Sequence, residues 1–241
     1  MSGHSKWAQI KRSKGLADAK RGALFTKLAR AISLAARQGG GNPETNFKLR
    51  LAIEKAKQAN MPKENIERAI KRGTGELSGA TIEKVVYEAF GPGGVAMVIE
   101  VLTDNKNRAV ANLKHILNKY QGRLGEPKSV LWMFETKGVI RLSESGKPED
   151  KEKIELKAIE LGAEDIKEEN GEIIIFTLPE NLQKIKEGLE QEGFSINYAE
   201  VEMVAKNKVK VEDAGVKQKL EKLYLELDEC QEVDNYYTNE E

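Results

Sequence analysis

Hydrophobic residues in the first part of the chain recur with the period of an α-helix. An i, i+3, i+7, i+10 spacing is followed by Phe25, Leu28, Ile32 and Ala35. This spacing predicts one helix over residues 18–37 with a single apolar face. The opposite face carries basic side chains and no acidic one after Asp18. The first element is therefore predicted to be a helix with a cationic outer side.

Two further helices are predicted before residue 76. Gly39-Gly40-Gly41 ends the first helix, and Asn42-Pro43 combines an N-cap residue with a proline suited to a first turn. The chain breaks again at Asn60-Met61-Pro62 and restarts as a short helix. Its apolar positions are Ile66, Ala69 and Ile70. The N-terminal segment is thus expected to be a three-helix domain.

From Thr81 onwards the pattern indicates strands that alternate with helices. Strands are predicted over 85–90 and 95–102, around a Gly-Pro-Gly-Gly turn, and a helix is expected after the capping pair Asp104-Asn105. Further strands are expected at 129–135, 139–142, 172–178, 194–204 and 232–237, and further helices at 149–161, from Pro179, and around Val216, Leu220, Leu223 and Leu227.

This order predicts an α+β chain: an N-terminal three-helix domain followed by two small ferredoxin-like α/β domains. Residues 76–136 supply only one helix, whereas a complete unit of this kind needs two. The last helix is therefore expected to return and complete the middle domain. The predicted domains are residues 1–78, residues 79–136 together with 205–241, and an inserted domain at 137–204.

Charge divides the chain at the same place as the helical pattern. Residues 1–75 hold 17 Lys/Arg and 5 Asp/Glu, whereas residues 76–241 hold 22 and 34. A basic segment in an otherwise acidic chain usually has a polyanion as its partner. The expected partner is nucleic acid, with protein partners possible through the acidic α/β domains.

Candidate nucleic-acid contacts lie in three places on the basic segment. Residues 1–15 are predicted to be an extended arm, whose indole could stack on a base or instead pin the arm to its own helices. The first helix carries a cationic ridge of Lys20, Lys27, Arg30 and Arg37. The third helix ends in a cationic cluster that could serve either a phosphate path or the helix dipole. The candidates are Lys6, Trp7, Lys11, Arg12, Lys14, Lys20, Arg21, Lys27, Arg30, Arg37, Arg68, Lys71 and Arg72.

The sequence carries little that points to catalysis. It has no phosphate-binding GxxxxGK[ST] motif, HExxH or GxSxG motif, and its two histidines, His4 and His115, are far apart. Glu100 and Asp104 could be an acid/base pair, but helix capping is the commoner role for such residues. Cys230 is the only cysteine and has no CxxC partner. We predict no enzyme activity, no cofactor and no metal site. Since the N-terminus lacks a secretory signal and no apolar run reaches membrane-spanning length, we expect a cytoplasmic protein.

Several long stretches resemble one protein family. They are GHSKWAQIK at 3–11, DAKRGALFTKLAR at 18–30, ANMPKENIERAIKRGTGE at 59–76, YEAFGPGGVA at 87–96, TDNKNR at 103–108 and GRLGEPKSVLWMFETKGVI at 122–140. These closely resemble the YebC/PmpR family, which also contains the mitochondrial translational activator of cytochrome c oxidase subunit I. The resemblance covers essentially the whole chain and implies the same three-domain plan. Two stretches depart from the family pattern, at 11–14 and at 126–128.

The resemblance implies a cytoplasmic, probable DNA-binding transcriptional regulator. The alternative it also implies is a ribosome-associated translation factor that binds ribosomal RNA. The residues show no helix-turn-helix signature and no RNP aromatic signature. They therefore favour contacts with the phosphate backbone over reading of a base sequence.

Overall fold

A computed structural model of the chain describes residues 18–143, 148–169 and 171–241. Its described part forms two compact units, one made of residues 134–206 and the other of residues 18–133 with 207–241. The helices are α1 (Asp18–Gly39), α2 (Phe47–Gln58), α3 (Lys63–Thr74), α4 (Lys106–Lys119), α5 (Pro148–Leu161), α6 (Leu182–Gln191) and α7 (Ala214–Glu229). The strands are β1 (Glu83–Phe90), β2 (Ala96–Thr103), β3 (Arg123–Leu124), β4 (Phe134–Ser143), β5 (Ala163–Glu169), β6 (Glu172–Thr177), β7 (Ile196–Ala205) and β8 (Val233–Thr238).

Helices α1, α2 and α3 enclose a core of their own. Ile32 of α1, Leu49 of α2 and Ala69 of α3 are buried together, with Phe25 and Leu28 packed against them. The apolar stripe predicted for the first helix is therefore confirmed. Burial of such a stripe provides most of the stability of short helices, which are marginal in isolation.

The middle of the chain and its C-terminal segment share one antiparallel sheet, in the order β3-β1-β2-β8. Alternate residues of β2, including Met97 and Ile99, pack on a core that also contains Leu113 of α4 and Leu223 of α7. Asn105 caps α4, with its side-chain oxygen accepting from the Arg108 N–H at 3.0 Å. The C-terminal segment thus supplies both a helix and a strand to the middle sheet.

The other unit is a βαββαβ chain whose antiparallel sheet has the order β5-β6-β4-β7. This is the ferredoxin-like arrangement. The first sheet has the same spatial order when β2, β3, β1 and β8 take the places of β4, β5, β6 and β7. Strand β1 is the first strand of its sheet along the chain. Strand β6, which has the same position in the second sheet, is the third strand of its sheet. The predicted α+β fold with two four-stranded sheets is confirmed.

Four local predictions differ from the structure. Helix α2 begins at Phe47 rather than after Asn42, because buried Asn46 is the N-cap. The side-chain amide of Asn46 also donates to the Ala35 and Gly40 carbonyls, both at 2.8 Å. Residues 129–133 form no strand, because main-chain N–H groups of this stretch donate to the Glu88 carboxylate instead of a ladder. Strand β4 passes without interruption through Lys137-Gly138, where a domain break was expected. Strand β5 was not predicted.

Candidate nucleic-acid interface

The described residues include only part of the predicted binding set. Lys6, Trp7, Lys11, Arg12 and Lys14 lie outside them, and Lys20 lies in α1 with a side chain that is not described. The described candidates are Arg21, Lys27, Arg30 and Arg37 on α1 and Arg68, Lys71 and Arg72 on α3.

Two cations of the α1 ridge are directed at the protein's own main chain. The Lys27 ammonium donates to the Asp228 carbonyl at 2.6 Å and approaches the Leu227 carbonyl at 3.4 Å. The Arg30 guanidinium donates to the Gln231 carbonyl at 2.6 Å. The expectation that the whole ridge lies on the solvent side is therefore wrong for these two residues.

The physical reason lies at the C-terminal end of α7. The last carbonyls of a helix have no partner within the helix, and they carry the negative end of its dipole. Helix α7 ends at Glu229, so the Leu227 and Asp228 carbonyls belong to this group. Lys27 supplies both a donor and a positive charge, and it joins α1 to the middle α/β region.

Two further described cations of α1 are exposed: Arg37 of the ridge, and Arg21, which lies outside the ridge. The Arg37 guanidinium donates at 3.4 Å to the Ile82 carbonyl, just before β1. Arg21 lies near the start of α1. The described part of the ridge therefore divides into Lys27 and Arg30, which bind main-chain carbonyls, and Arg37, whose side chain is exposed.

The cluster on α3 has a different environment. Arg68, Lys71 and Arg72 are all exposed, and none forms an ion pair with an acidic residue in the described part of the chain. Their spacing of three and four residues places them on one side of the helix. Glu67, which lies one turn before Lys71, is paired instead with Lys63 at 3.6 Å.

Capping of α3 does not require these side chains. The Lys71 carbonyl accepts from the Leu77 N–H at 3.1 Å, and the Arg72 carbonyl accepts from the Gly75 N–H at 3.3 Å. Gly75 has a φ of 84°, the left-handed geometry that ends a helix and favours glycine. Main-chain donors thus satisfy the carbonyls that the cationic side chains could otherwise have capped.

Helix α2 adds two exposed cations that were not among the predicted contacts. Lys48 and Lys57 flank the stretch that contains the buried positions Leu49, Ile53 and Ala56. The alternation of basic and apolar residues in this helix was the available signal, but it is equally typical of an ordinary solvated face.

A cavity of about 600 Å³ lies where α1, α4 and α7 meet. Its polar walls are already paired: Arg108 binds Asp104 at 2.6 Å and Glu232 at 2.9 Å. Burial raises the pKa of the Glu232 carboxyl, but hydrogen bonds from Thr103, Arg108 and Asn112 outweigh it and leave the pKa below its ordinary value. The cavity therefore contains a satisfied charge network at the junction of these helices.

Side chains with catalytic potential are separated or engaged. Cys230 and His115 both line the cavity, but no hydrogen bond joins them within the described structure. Glu100 is buried, ion-paired with Lys84 at 2.6 Å and bound by the Asn235 amide at 3.0 Å. Among residues 18–143, 148–169 and 171–241, no three His, Cys, Asp or Glu side chains converge as a metal site, and no helix has the length and apolarity to cross a membrane.

Relatives of the chain match it over nearly its full length. A protein of Thermotoga maritima is 52% identical over 239 residues, which cover 99% of this chain and 93% of the relative. A protein of Natranaerobius thermophilus is 48% identical over 240 residues, covering 99% and 96%. Both bear the name probable transcriptional regulatory protein. The crystal structure of a conserved hypothetical protein from Aquifex aeolicus is similar with a TM-score of 0.86 and 46% identity, over 98% of this chain and 97% of that one.

Family models match both parts of the sequence. Residues 5–76 match the TACO1/YebC protein N-terminal domain, and residues 82–240 match the TACO1/YebC second and third domain. The two matches together span nearly the whole chain. The chain therefore belongs to the TACO1/YebC family.

Proposed function

We propose that this protein is a non-enzymatic regulator that binds nucleic acid, most directly a DNA-binding transcriptional regulator. The observation that supports the proposal is the cluster Arg68, Lys71 and Arg72, which is exposed and has no carboxylate partner in the described structure. Such cations release counterions from a phosphate backbone when they bind it. The names of the relatives point to the same class of function.

The α3 cluster forms the centre of the proposed contact surface. Arg21 and Arg37 of α1 extend it, and Lys20 in the first turn of α1 adds a further contact. The segment before α1 adds contacts from Lys6, Trp7, Lys11, Arg12 and Lys14. Lys27 and Arg30 have a positioning role, because their donors are engaged by the carbonyls near the end of α7.

The remainder of the chain would orient this surface. Residues 76–241 have an excess of 12 acidic groups, 34 against 22, and would be repelled by a polyanion. Binding would therefore be centred on the helical region. The acidic α/β regions remain available for protein partners, and a cytoplasmic location is part of the proposal.

The first test is neutralisation of the α3 cluster. The triple variant R68Q/K71Q/R72Q should weaken binding to a duplex DNA of random sequence, because three phosphate contacts are lost. The slope of log K against log salt should become shallower by about three. Fluorescence anisotropy of labelled DNA across a salt series measures both quantities.

The matched control is K208Q/K210Q/K217Q, which removes the same charge from exposed lysines elsewhere in the chain. If both triple variants weaken binding equally, net charge and not the α3 surface is responsible. A second comparison is K27Q/R30Q, which should lower the melting temperature and leave the slope of log K against log salt nearly unchanged. An unchanged affinity in R68Q/K71Q/R72Q would refute the proposed surface.

The kind of nucleic acid requires a competition. Purified protein is offered duplex DNA and intact ribosomes together at physiological salt. Preference for DNA supports the transcriptional proposal and leads to selection of a base sequence. Preference for ribosomes that persists as salt rises would replace it with the translation-factor alternative, because shape-specific RNA contacts are less sensitive to salt than phosphate neutralisation.

A further inference from the structure

Trp132 is the most exposed large hydrophobic side chain of the middle region. Its exposed fraction is 63%, although it lies between buried Val130 and Phe134. The indole N–H donates to the Ser129 carbonyl at 3.1 Å. The polar edge of the ring is thus satisfied within the protein, and the exposed part of the side chain offers mainly its aromatic surface.

The loop that carries Trp132 is held by a single carboxylate. Glu88, which is only 7% exposed, accepts main-chain N–H bonds from Lys128, Val130 and Leu131, the last at 2.8 Å. Burial raises the pKa of the Glu88 carboxyl, but these three N–H groups outweigh it and hold the pKa below its ordinary value. The carboxylate is therefore charged at neutral pH, and charge-assisted hydrogen bonds of this kind are strong.

The segment of the chain that carries Trp132 is not acidic. Residues 76–133 contain seven Lys/Arg and six Asp/Glu, in contrast to the acidic segments that follow. Lys128 on the same loop and Arg123 on the adjoining strand β3 are both exposed. The Arg123 guanidinium lies over the Phe90 ring, 4.8 Å from the ring centroid.

We propose that Trp132 is a stacking platform for an unpaired base of a single-stranded nucleic acid, with Lys128 and Arg123 near the adjoining phosphates. Stacking needs an accessible aromatic face, a fixed ring and nearby cations, and it is tolerant of base sequence. Paired bases inside a duplex are not available to such a ring. This inference rests on the proposed function, since it adds a second contact to the same class of ligand.

The experiment uses the full-length protein and a mixed-sequence 12-nucleotide single strand, prepared as DNA and as RNA. Tryptophan emission is recorded during titration of the wild type and of W132F, so that their difference reports Trp132. An oligonucleotide of the same length without bases, and inorganic polyphosphate, provide phosphate alone. We expect the base-containing strands to quench the Trp132 emission and the two base-free polyanions to leave it unchanged.

Affinity provides the second measurement. W132A and W132L should each weaken binding of the single strand about tenfold, whereas W132F, which keeps an aromatic ring, should lose less. Binding of W132L equal to that of the wild type would overturn the inference, because a leucine can replace tryptophan only in apolar packing. Equal quenching by polyphosphate would overturn it as well.

The two proposals fail in distinguishable ways. In one outcome, the strands and polyphosphate all bind, and R68Q/K71Q/R72Q abolishes this binding, but the Trp132 emission does not change on binding. Only the stacking platform is then refuted. If none of the polyanions binds the wild type, the proposed function itself fails. A difference between the DNA and RNA arms would identify which strand the platform prefers.

Discussion

At the scale of single residues, Glu88 has an unusual part in the structure. Most buried carboxylates are paired with a cation. The charge of this one is instead stabilised by hydrogen bonds from three main-chain N–H groups of one loop. The arrangement makes the loop conformation depend on one charge. Loss of that charge would leave three donors without a strong acceptor, and unsatisfied buried donors are costly.

The loop around residues 128–131 should therefore respond to acid. The folded-state pKa of Glu88 lies below its ordinary value, so its stabilising effect is complete above that ordinary value. The effect is lost as pH falls through the lowered pKa. We expect the amide resonances of Lys128, Val130 and Leu131 to shift together on acidification, as measured by NMR.

E88Q should abolish this shared titration and disorder the loop at neutral pH. E126Q, which alters an exposed carboxylate on the same loop, is the control and should leave the titration in place. Independent titration of the three amides, or a normal titration in E88Q, would contradict the assigned role of Glu88.

The environment of the basic side chains could be predicted from the sequence where they are exposed, and not where they bind the main chain. Arg68 and Lys71 were predicted to form a cationic cluster at the end of the third helix, and both are exposed there. Lys27 and Arg30 had the same appearance in the sequence but bind carbonyls some 200 residues away. Main-chain acceptors carry no sequence signal, so this difference could not have been foreseen. Whether the predicted cations bind nucleic acid stays a prediction.

At the scale of secondary-structure elements, the helical region depends on the close crossing of α1 and α3. The Ser33 hydroxyl donates to the Ala69 carbonyl at 2.7 Å. A Cβ atom added at Gly73 would overlap the Ser33 carbonyl oxygen and approach the Ala36 Cβ at 2.7 Å. Glycine is thus needed at position 73 for the approach of two helices.

G73A should consequently destabilise the protein, whereas G22A should stabilise it. Both glycines lie in helices, but a Cβ at Gly22 meets no atom within 4 Å. Overpacking at residue 73 should cost about 1–3 kcal/mol. Alanine at residue 22 should contribute about 0.5–1 kcal/mol. Urea denaturation followed by circular dichroism measures both, and a stabilising G73A would refute the close crossing.

At this scale, runs and stripes of apolar residues predicted most elements, and strand β5, which has neither, was missed. The stripe ending in Ile32 and Ala35 and the cap at Asn105 are local signals, and the structure contains them. Strand β5 reads Ala-Glu-Asp-Ile-Lys-Glu-Glu, and its single large apolar residue gives no alternation. As an edge strand paired with β6 alone, it is defined by its neighbour and not by its composition.

At the scale of the whole molecule, the acidic excess of residues 76–241 is concentrated in part of that range. Residues 134–206 contain 18 Asp/Glu and 10 Lys/Arg, whereas residues 76–133 are close to balance. Most of the acidic excess therefore belongs to the 134–206 unit and to the C-terminal segment. The division into three domains stays a prediction, alongside the two compact units of the structure.

The unit of residues 134–206 should fold when expressed alone. It contains a complete ferredoxin-like sheet with its two helices, and Ile140, Ile175 and Leu189 are fully buried. We expect a cooperative thermal transition and helical and strand content close to that of the same region in the full chain. Circular dichroism and calorimetry of the fragment test this, and a random-coil spectrum would contradict it.

The pairing of Phe134 with Ala205 has a consequence for how such a chain can arise and be altered. Partners across an antiparallel ladder lie about 5 Å apart, so the insert begins and ends at nearly one point. To the rest of the chain, an entire folded unit is then equivalent to a loop whose two ends lie close together. The length of this unit adds little to the entropic cost of bringing residues 133 and 207 together, because the unit's own fold fixes its two ends. A unit attached in this way can be lengthened, exchanged or diversified in sequence while the register of the host strands is preserved.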